Sequence, residues 1–141
     1  GIRTLSGEEM AFGYRRSLLT QNPEIVALSA VFALTPGDPA AIRQRMQELM
    51  QKRKESQPLE WPSAGSTFKR PQGTFAALLI EQCGLKGYSC GAAQVSEKHS
   101  GFVINKGGAS FDDVMSVISH VKETVYAKTG IMLECEPEII E

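Results

Sequence analysis

Apolar residues recur at helical spacing in two stretches of the second half of the chain. The longer stretch steps by three or four residues and predicts a helix with one core-facing side, made of Phe111, Val114, Ile118, Val121 and Val125. Ser110 stands before it as an N-cap and Gly130 follows it as a stop signal. A shorter helix is predicted from Phe75, Leu78, Leu79 and Cys83, and it ends at Gly84, a residue suited to a left-handed C-cap.

Two short apolar runs on either side of the longer helix predict strands. Gly101–Asn105 forms the first, and the turn residues Lys106–Gly108 lead out of it. Ile131–Leu133 begins the second, directly after the helix. The order strand, helix, strand indicates an α+β fold for this part of the chain.

The first half of the chain shows three further patterns. Ser6 and Glu9 have the spacing of a capping box, which predicts a short helical turn. Ile25–Leu34 is apolar at alternate and intervening positions alike, which predicts a strand covered on both faces. Asp38 and Pro39 then begin an amphipathic helix that reaches a basic end near Lys54, with apolar positions at Ile42, Met46 and Leu49.

The helical pattern stops before Gln57–Lys69, a stretch that holds two prolines and has no helical period. Such a stretch is typical of a linker or a domain boundary. We therefore predict two parts, residues 1–55 and residues 56–141.

Composition narrows the class of protein. Of the 141 residues, 22% are charged and 42% are hydrophobic, and the formal net charge is −1, which argues against a nucleic-acid surface. No apolar run is long enough to span a bilayer and no signal-peptide pattern opens the chain, so a cytoplasmic location is the simplest interpretation.

The metal-binding residue types are too scattered to indicate a metal site. The three cysteines lack CxxC spacing and the two histidines lie far apart in the sequence, so we predict reduced thiols and no metal; these residues are Cys83, Cys90, Cys135, His99 and His120.

The stretch Pro62–Lys69 is the strongest candidate for chemistry, because small residues there present a hydroxyl close to a cation. Gly65 lets the backbone approach a ligand and would display Ser66, although a cap or loop turn explains the same residues. Ser66 and Lys69 have the Ser-x-x-Lys spacing of a nucleophile and its base, but the other β-lactamase motifs and a Gly-x-Ser-x-Gly elbow are absent. A hydrolase that uses Ser66 with His99 stays open as an alternative.

Two other polar sets stand near element ends. Ser96–His99 is either a solvated charged turn or a place where His99 donates a hydrogen bond to a ligand. In an extended Leu133–Glu138 segment, Glu134, Glu136 and Glu138 would share one face, where they are solvated, paired or functional.

Ordered motifs along the chain resemble the C-terminal portion of the UDP-N-acetylenolpyruvoylglucosamine reductases. The motifs are Phe12–Arg15, Gln57–Glu60, Pro62–Lys69, Leu79–Glu81, Gly84–Gly87, Val95–His99, Gly101–Asn105 and Leu133–Glu136. The resemblance covers essentially the whole chain and implies an oxidoreductase of bacterial peptidoglycan synthesis. It implies that residues 1–55 are the tail of an FAD-binding domain and that residues 56–141 are the substrate-binding domain.

The resemblance also implies roles for individual residues. The family uses NADPH and FAD to reduce the enolpyruvyl ether of UDP-N-acetylglucosamine to UDP-N-acetylmuramate. Ser66 matches its proton donor and Glu136 its catalytic glutamate. Our own inference, apart from the resemblance, is that Lys69 would assist electrostatically. Lys54 and His99 would contact the substrate together with Lys69, as would Tyr14 and Arg15 in the upstream motif.

The family's flavin-binding region and catalytic arginine lie outside these residues, so the resemblance identifies no cofactor-binding residue in this chain. We expect the 141-residue chain to be inactive by itself and able to self-associate. A non-enzymatic α+β module that binds a nucleotide sugar or a protein is the alternative.

Overall fold

The computed structural model describes residues 1–140, which divide into two compact units, Gly1–Asp38 and a second unit that starts at Pro39. In the first unit Ser6 and Glu9 form the predicted capping box, because each backbone N–H donates to the other side chain at 2.7 and 3.2 Å. The unit has one helical turn, α1 (Leu18–Gln21), which Ser17 caps in the same reciprocal way.

The strand predicted at Ile25–Leu34 is wrong. Within residues 1–140 this segment joins no sheet, and its large apolar side chains are exposed. A strand that is apolar on both faces becomes stable only when neighbouring strands and a covering layer bury it.

The second unit opens with helix α2 (Pro39–Ser56), which confirms the helix predicted from Asp38 and Pro39, including the basic residues Arg53 and Lys54 in its last turn. None of its side chains is buried, and its apolar positions Ile42, Met46 and Leu49 are exposed. None of the helices formed by residues 1–140 combines the length and apolarity that a bilayer crossing demands.

A four-stranded antiparallel sheet follows α2 in the chain. Its strands are β1 (Ser63–Ser66), β2 (Ser89–Cys90), β3 (Ala93–Val95) and β4 (Phe102–Asn105), in the spatial order β1-β4-β3-β2. Two helices, α3 (Ala76–Gln82) and α4 (Phe111–Thr129), complete the unit, and α4 packs against β2, β3, β4 and α3. The predicted α+β class and the strand at Gly101–Asn105 are therefore confirmed.

Helix α3 ends as predicted, with Gly84 at a φ of 74°. The N–H of Gly84 donates to the Glu81 carbonyl at 2.9 Å and the N–H of Leu85 to the Ile80 carbonyl at 3.1 Å, the two bonds of a Schellman motif. The predicted face is only half right, since Leu79 and Cys83 are buried whereas Phe75 and Leu78 are exposed. Ala76 and Ile80 complete the buried face, because they extend the three- and four-residue steps from Leu79 and Cys83.

Helix α4 has the predicted limits, with a Ser110 capping box at its start and Gly130 at a φ of 73° at its end. The buried stripe is Val117, Ile118, Val121 and Val125, with Val114 half-buried. Phe111 lies outside the stripe and is exposed.

The strand predicted at Ile131–Leu133 is wrong, since this segment has no strand pairing; one isolated bridge, between Cys135 and Phe68, follows it. Leu133 is nevertheless buried against α3, α4 and the sheet in a single core, whose other fully buried side chains include Ile80, Val95, Val117, Val121 and Val125. Burial therefore holds this segment, in place of a continuous ladder.

Asp113 joins the start of α4 to the turn between β2 and β3. Its carboxylate accepts the Ser110 N–H at 3.0 Å, and a Cβ added at Gly91, whose φ is +53°, would collide with it. The hydrogen bond from the Ser110 backbone, with further ones from the Ala92 backbone and the Ser110 hydroxyl, lowers the pKa of Asp113. The ionised side chain is therefore the form that the fold stabilises.

Stability should consequently depend on pH through Asp113. Because the folded-state pKa is lowered, the contribution is complete above the unfolded pKa of about 3.9 and is lost as pH falls through the folded pKa. We expect the Asp113→Asn variant to lose less stability than the wild type between pH 5 and pH 2, because its amide does not titrate. Urea midpoints at half-unit pH intervals measure this, and parallel curves for the two proteins would contradict it.

Candidate functional site

Ser66 lies at the end of strand β1, whose pairing register with β4 shifts at a β-bulge. Ser63 pairs with Ile104 and Ser66 pairs with Phe102, so β1 advances three residues while β4 advances two. Gly65 absorbs the extra residue at a φ of +83°, a conformation that costs glycine little. The bulge leaves Ser66 exposed, and its hydroxyl donates to the Phe68 carbonyl over a long 3.4 Å.

The segment that carries Glu136 pairs with the residues just after Ser66. The N–H of Lys69 donates to the Glu134 carbonyl at 2.8 Å, and the N–H of Glu136 donates to the Thr67 carbonyl at 2.9 Å. Glu136 is therefore hydrogen-bonded through its backbone to the residue that follows Ser66. The structure thus brings the two predicted catalytic residues to one place.

The three carboxylates of this segment differ in environment. Glu134 and Glu138 are exposed, whereas Glu136 is half-buried and its Oε2 atom is buried. Glu134 pairs with the ammonium of Lys69 at 3.3 Å, across an exposed ion pair of the kind that contributes little stability. Of the three side chains, that of Glu136 is the one partly removed from solvent, which distinguishes it chemically from the other two.

His99 lies on a turn built around a buried serine. The Ser96 hydroxyl accepts the backbone N–H groups of Lys98 and His99, both at 3.2 Å. The ring of His99 accepts the Gly101 N–H at Nδ1 over 3.1 Å and contacts the Phe102 ring edge-on, with centroids 4.9 Å apart. An accepting Nδ1 places the proton of the neutral ring on Nε2, which can then donate to a ligand.

This turn is tied to the Gln57–Glu60 motif by an ion pair. The Lys98 ammonium lies 3.2 Å from a Glu60 carboxylate oxygen. A hydrogen bond from its own backbone, followed by the one from Lys98, lowers the pKa of Glu60. Because Phe102 is also the strand partner of Ser66, the turn with His99 and the bulge with Ser66 are neighbours in the sheet.

The other predicted substrate contacts belong to other elements of the chain. Lys54 lies in the exposed last turn of α2. Tyr14 and Arg15 belong to the first unit, at the tip of a tight turn closed by Gly13 and Arg16, and Arg15 has a φ of 54°. A positive φ is uncommon for arginine. The roles of Lys54, Tyr14 and Arg15 in binding stay predictions.

A pocket of about 540 Å³ opens beside β1, β4 and α4 but includes neither Ser66 nor Glu136. Its lining is mainly apolar, from Phe111, Val114, Met115, Ile118, Ile139 and Ile140 among others, and contains no lysine or arginine. Cationic side chains commonly bind the diphosphate of a flavin dinucleotide, and the lining of this pocket offers none. Among the described residues no group of three metal-ligating side chains comes together, and the three cysteines are free thiols.

Thr67 is the residue of this site that sequence reasoning missed. It is buried between the strand that ends at Ser66 and the segment that carries Glu136. In the sequence motif Thr67 is one of several small polar residues, and no local pattern distinguishes it. Its hydrogen-bond partners are 34 or more positions away in the chain: Gly101, Val103 and Glu136.

Comparison with known proteins identifies relatives for nearly the whole chain. Residues 57–140 match the family model described as UDP-N-acetylenolpyruvoylglucosamine reductase, C-terminal domain. The UDP-N-acetylenolpyruvoylglucosamine reductase of Clostridium novyi is 55% identical to this chain, over 99% of this chain and 45% of that protein. The UDP-N-acetylenolpyruvoylglucosamine reductase of Caldanaerobacter subterraneus is 52% identical, over 99% of this chain and 46% of that protein. The chain therefore spans about half the length of the curated relatives it matches.

A solved structure agrees with these relatives. The crystal structure of UDP-N-acetylenolpyruvylglucosamine reductase from Thermus caldophilus superposes with a TM-score of 0.76 at 35% sequence identity. The match covers 93% of this chain and 46% of that one.

Proposed function

The chain belongs to the family of the UDP-N-acetylenolpyruvoylglucosamine reductases through their C-terminal domain, and on this premise we propose that it binds substrate and donates a proton in such a reductase. The reaction would convert the enolpyruvyl ether of UDP-N-acetylglucosamine to UDP-N-acetylmuramate, in the cytoplasmic stage of bacterial peptidoglycan synthesis. Residues 56–141 would be the substrate-binding domain, and residues 1–55 the tail of an FAD-binding domain.

One observation carries the proposal: an exposed serine hydroxyl and a half-buried carboxylate, far apart in sequence, are held on neighbouring backbone segments. Ser66 is exposed at the bulge, and the N–H of Glu136 is bonded at 2.9 Å to the carbonyl of the next residue. A hydroxyl that can give up a proton, placed with a carboxyl group that can stabilise the acceptor, suits the protonation of an enolate.

The proton step is the part of the reaction that this chain would perform. FAD charged by NADPH would supply a hydride to one alkene carbon. The other carbon, which then has carbanion character, would take the Ser66 hydroxyl proton as its C–H bond forms and the O–H bond breaks. The exposed serine oxygen would recover a proton from solvent.

Glu136 would act beside the developing negative charge. A fully ionised carboxylate would repel an enolate, so the side chain must share a proton there or be held by a hydrogen bond. The position of Glu136 supports this role, because its N–H donates to the carbonyl of Thr67, the residue that follows Ser66, at 2.9 Å.

The remaining predicted residues would bind the nucleotide sugar. His99 has Nε2 available as a donor toward a phosphate or carbonyl oxygen, since its Nδ1 accepts the Gly101 N–H. Lys69, Lys54, Tyr14 and Arg15 are proposed as further contacts. The exposed apolar segment at residues 25–34 supports self-association of the chain when it is separated from a flavin domain.

A chimeric reductase tests the proposal, with this chain joined to the N-terminal part of the Clostridium novyi relative in place of that protein's matching C-terminal part. We expect it to bind FAD and to oxidise NADPH only when the enolpyruvyl substrate is added, whereas the 141-residue chain alone should show no turnover. The unmodified relative is the matched control.

The result that contradicts the proposal is a chimera that binds FAD and whose NADPH oxidation does not respond to the substrate. If calorimetry then detects binding of the nucleotide sugar, the non-enzymatic module is the better description.

A further inference from the structure

We infer that Thr67 is a positioning residue for the proposed reaction, because it fixes Ser66 and Glu136 relative to each other. The inference rests on the proposed function, which gives those two residues their roles. Thr67 itself follows Ser66 directly in the chain and is only 3% exposed, so it acts through its neighbours and not on the substrate.

Three hydrogen bonds connect Thr67 to two different parts of the fold. Its N–H donates to the Gly101 carbonyl at 2.8 Å, and its hydroxyl accepts the Val103 N–H at 3.0 Å. Its carbonyl accepts the Glu136 N–H at 2.9 Å. One buried residue therefore joins the β4 region on one side to the segment that carries Glu136 on the other.

The side-chain bond has a specific reason to exist at this position. The bulge puts β1 out of step with β4 between Ser63 and Ser66, and bulges weaken the ladder locally. The Thr67 hydroxyl adds a buried acceptor for Val103 at the end of the bulge. Without it, the strand would shift or admit water, since buried N–H groups are costly to leave without a good acceptor.

Such a shift would be transmitted to both catalytic residues. Ser66 is covalently next to Thr67, and Glu136 is bonded to the Thr67 carbonyl. Misplacement of a reacting group by about 1 Å can cost on the order of 100-fold in rate. The loss should fall on the step that uses Ser66 and spare the step that does not.

The first test compares Thr67→Val, which keeps the shape and removes the hydroxyl, with Thr67→Ser, which keeps the hydroxyl, in the chimeric reductase. We expect Thr67→Val to slow reoxidation of the reduced flavin by substrate about 10- to 100-fold. Flavin reduction by NADPH should stay within about twofold of the parent, and Thr67→Ser should retain reoxidation within about threefold. Equal reoxidation rates in the two variants, or equal losses in both half-reactions, would overturn the inference.

The second test does not depend on activity. In the 141-residue chain, we expect Thr67→Val to speed amide hydrogen exchange at Val103 and Glu136, and Thr67→Ser to leave both near wild type. Unchanged exchange at Glu136 in the valine variant would overturn the inference. If Thr67→Val fails to fold, Thr67→Ala is compared with Thr67→Ser. Both variants lack the γ-methyl group of threonine, so they differ only in the hydroxyl.

The two tests separate the inference from the proposed function. A parent chimera that never reoxidises its flavin with the substrate would contradict the proposed function, and exchange alone would then decide whether Thr67 couples the segments. A working parent whose valine variant reoxidises at the same rate would overturn the role of Thr67 and leave the proposed function standing.

Discussion

Replacing Ser66 by alanine in the chimeric reductase is expected to slow reoxidation of the reduced flavin by the enolpyruvyl substrate about 10²- to 10⁴-fold, the usual contribution of a positioned proton donor. The variant loses the only atom that this serine could contribute to proton transfer. The native Ser66 residue is exposed, and its hydroxyl donates to the Phe68 carbonyl over a long 3.4 Å. Transfer of the hydroxyl proton to substrate therefore breaks only a weak hydrogen bond within the protein. Stopped-flow absorbance of the flavin measures the step directly.

The first half-reaction gives the internal control for this variant. Flavin reduction by NADPH should be unchanged, because Ser66 takes no part in it. Ser63→Ala is the matched control, since Ser63 lies on the same strand and its hydroxyl accepts the Gly65 N–H at a long 3.4 Å. A Ser66→Ala variant that slows both half-reactions equally, or one that matches Ser63→Ala, would count against a proton donor.

Replacing Leu133 by alanine is expected to lower the free energy of unfolding of the chain by about 2–5 kcal/mol. Leu133 is only 1% exposed and belongs to the core formed by α3, α4 and the sheet, so the change leaves a cavity. Urea denaturation followed by circular dichroism measures the difference. The loss of stability should be large because the packing of residues 131–133 on the core depends on the Leu133 side chain.

Met132→Ala is the matched control for the leucine. The methionine is adjacent, of similar size and 57% exposed, so its removal should cost far less stability. Similar losses in the two variants would show that the segment is not anchored through Leu133. Because Leu133 lies three residues before Glu136, the leucine variant should also speed amide exchange at Glu136.

The elements that the sequence predicted correctly are those with local signals. Helix α4 is defined by the Ser110 capping box, an apolar stripe and Gly130, all within 21 residues of one another. Helix α3 is stopped by Gly84 and the strand β4 is a short apolar run before a glycine turn. In each case, the residues that decide the structure are near neighbours in the chain.

The two wrong strands failed for the opposite reason. Residues 25–34 and 131–133 have strand-like composition, but a strand exists only when another segment pairs with it, and the pattern does not name that segment. In the described structure residues 25–34 are exposed and pair with no strand of the sheet, while residues 131–133 are held by the burial of Leu133.

The candidate site was predicted unevenly for the same reason. Ser66 and Glu136 came from a resemblance of motifs, and the motifs identify residue types without the geometry that joins them. Thr67 was missed, because the value of its hydroxyl depends on Val103, which lies in another strand.

The sequence by itself determined the α+β class, the limits of the long helices and the family, because caps, periodicity and ordered motifs are local properties. Only the tertiary structure decided that residues 67–69 pair with residues 134–136 and that β1 bulges at Gly65 before Ser66. Lys69 and Glu134, for example, lie 65 positions apart in the sequence. A contact at that separation depends on how α3, α4 and the sheet pack together. Ser66 and Glu136 lie on neighbouring backbone segments because that packing brings residues 134–136 to the residues that follow the bulge.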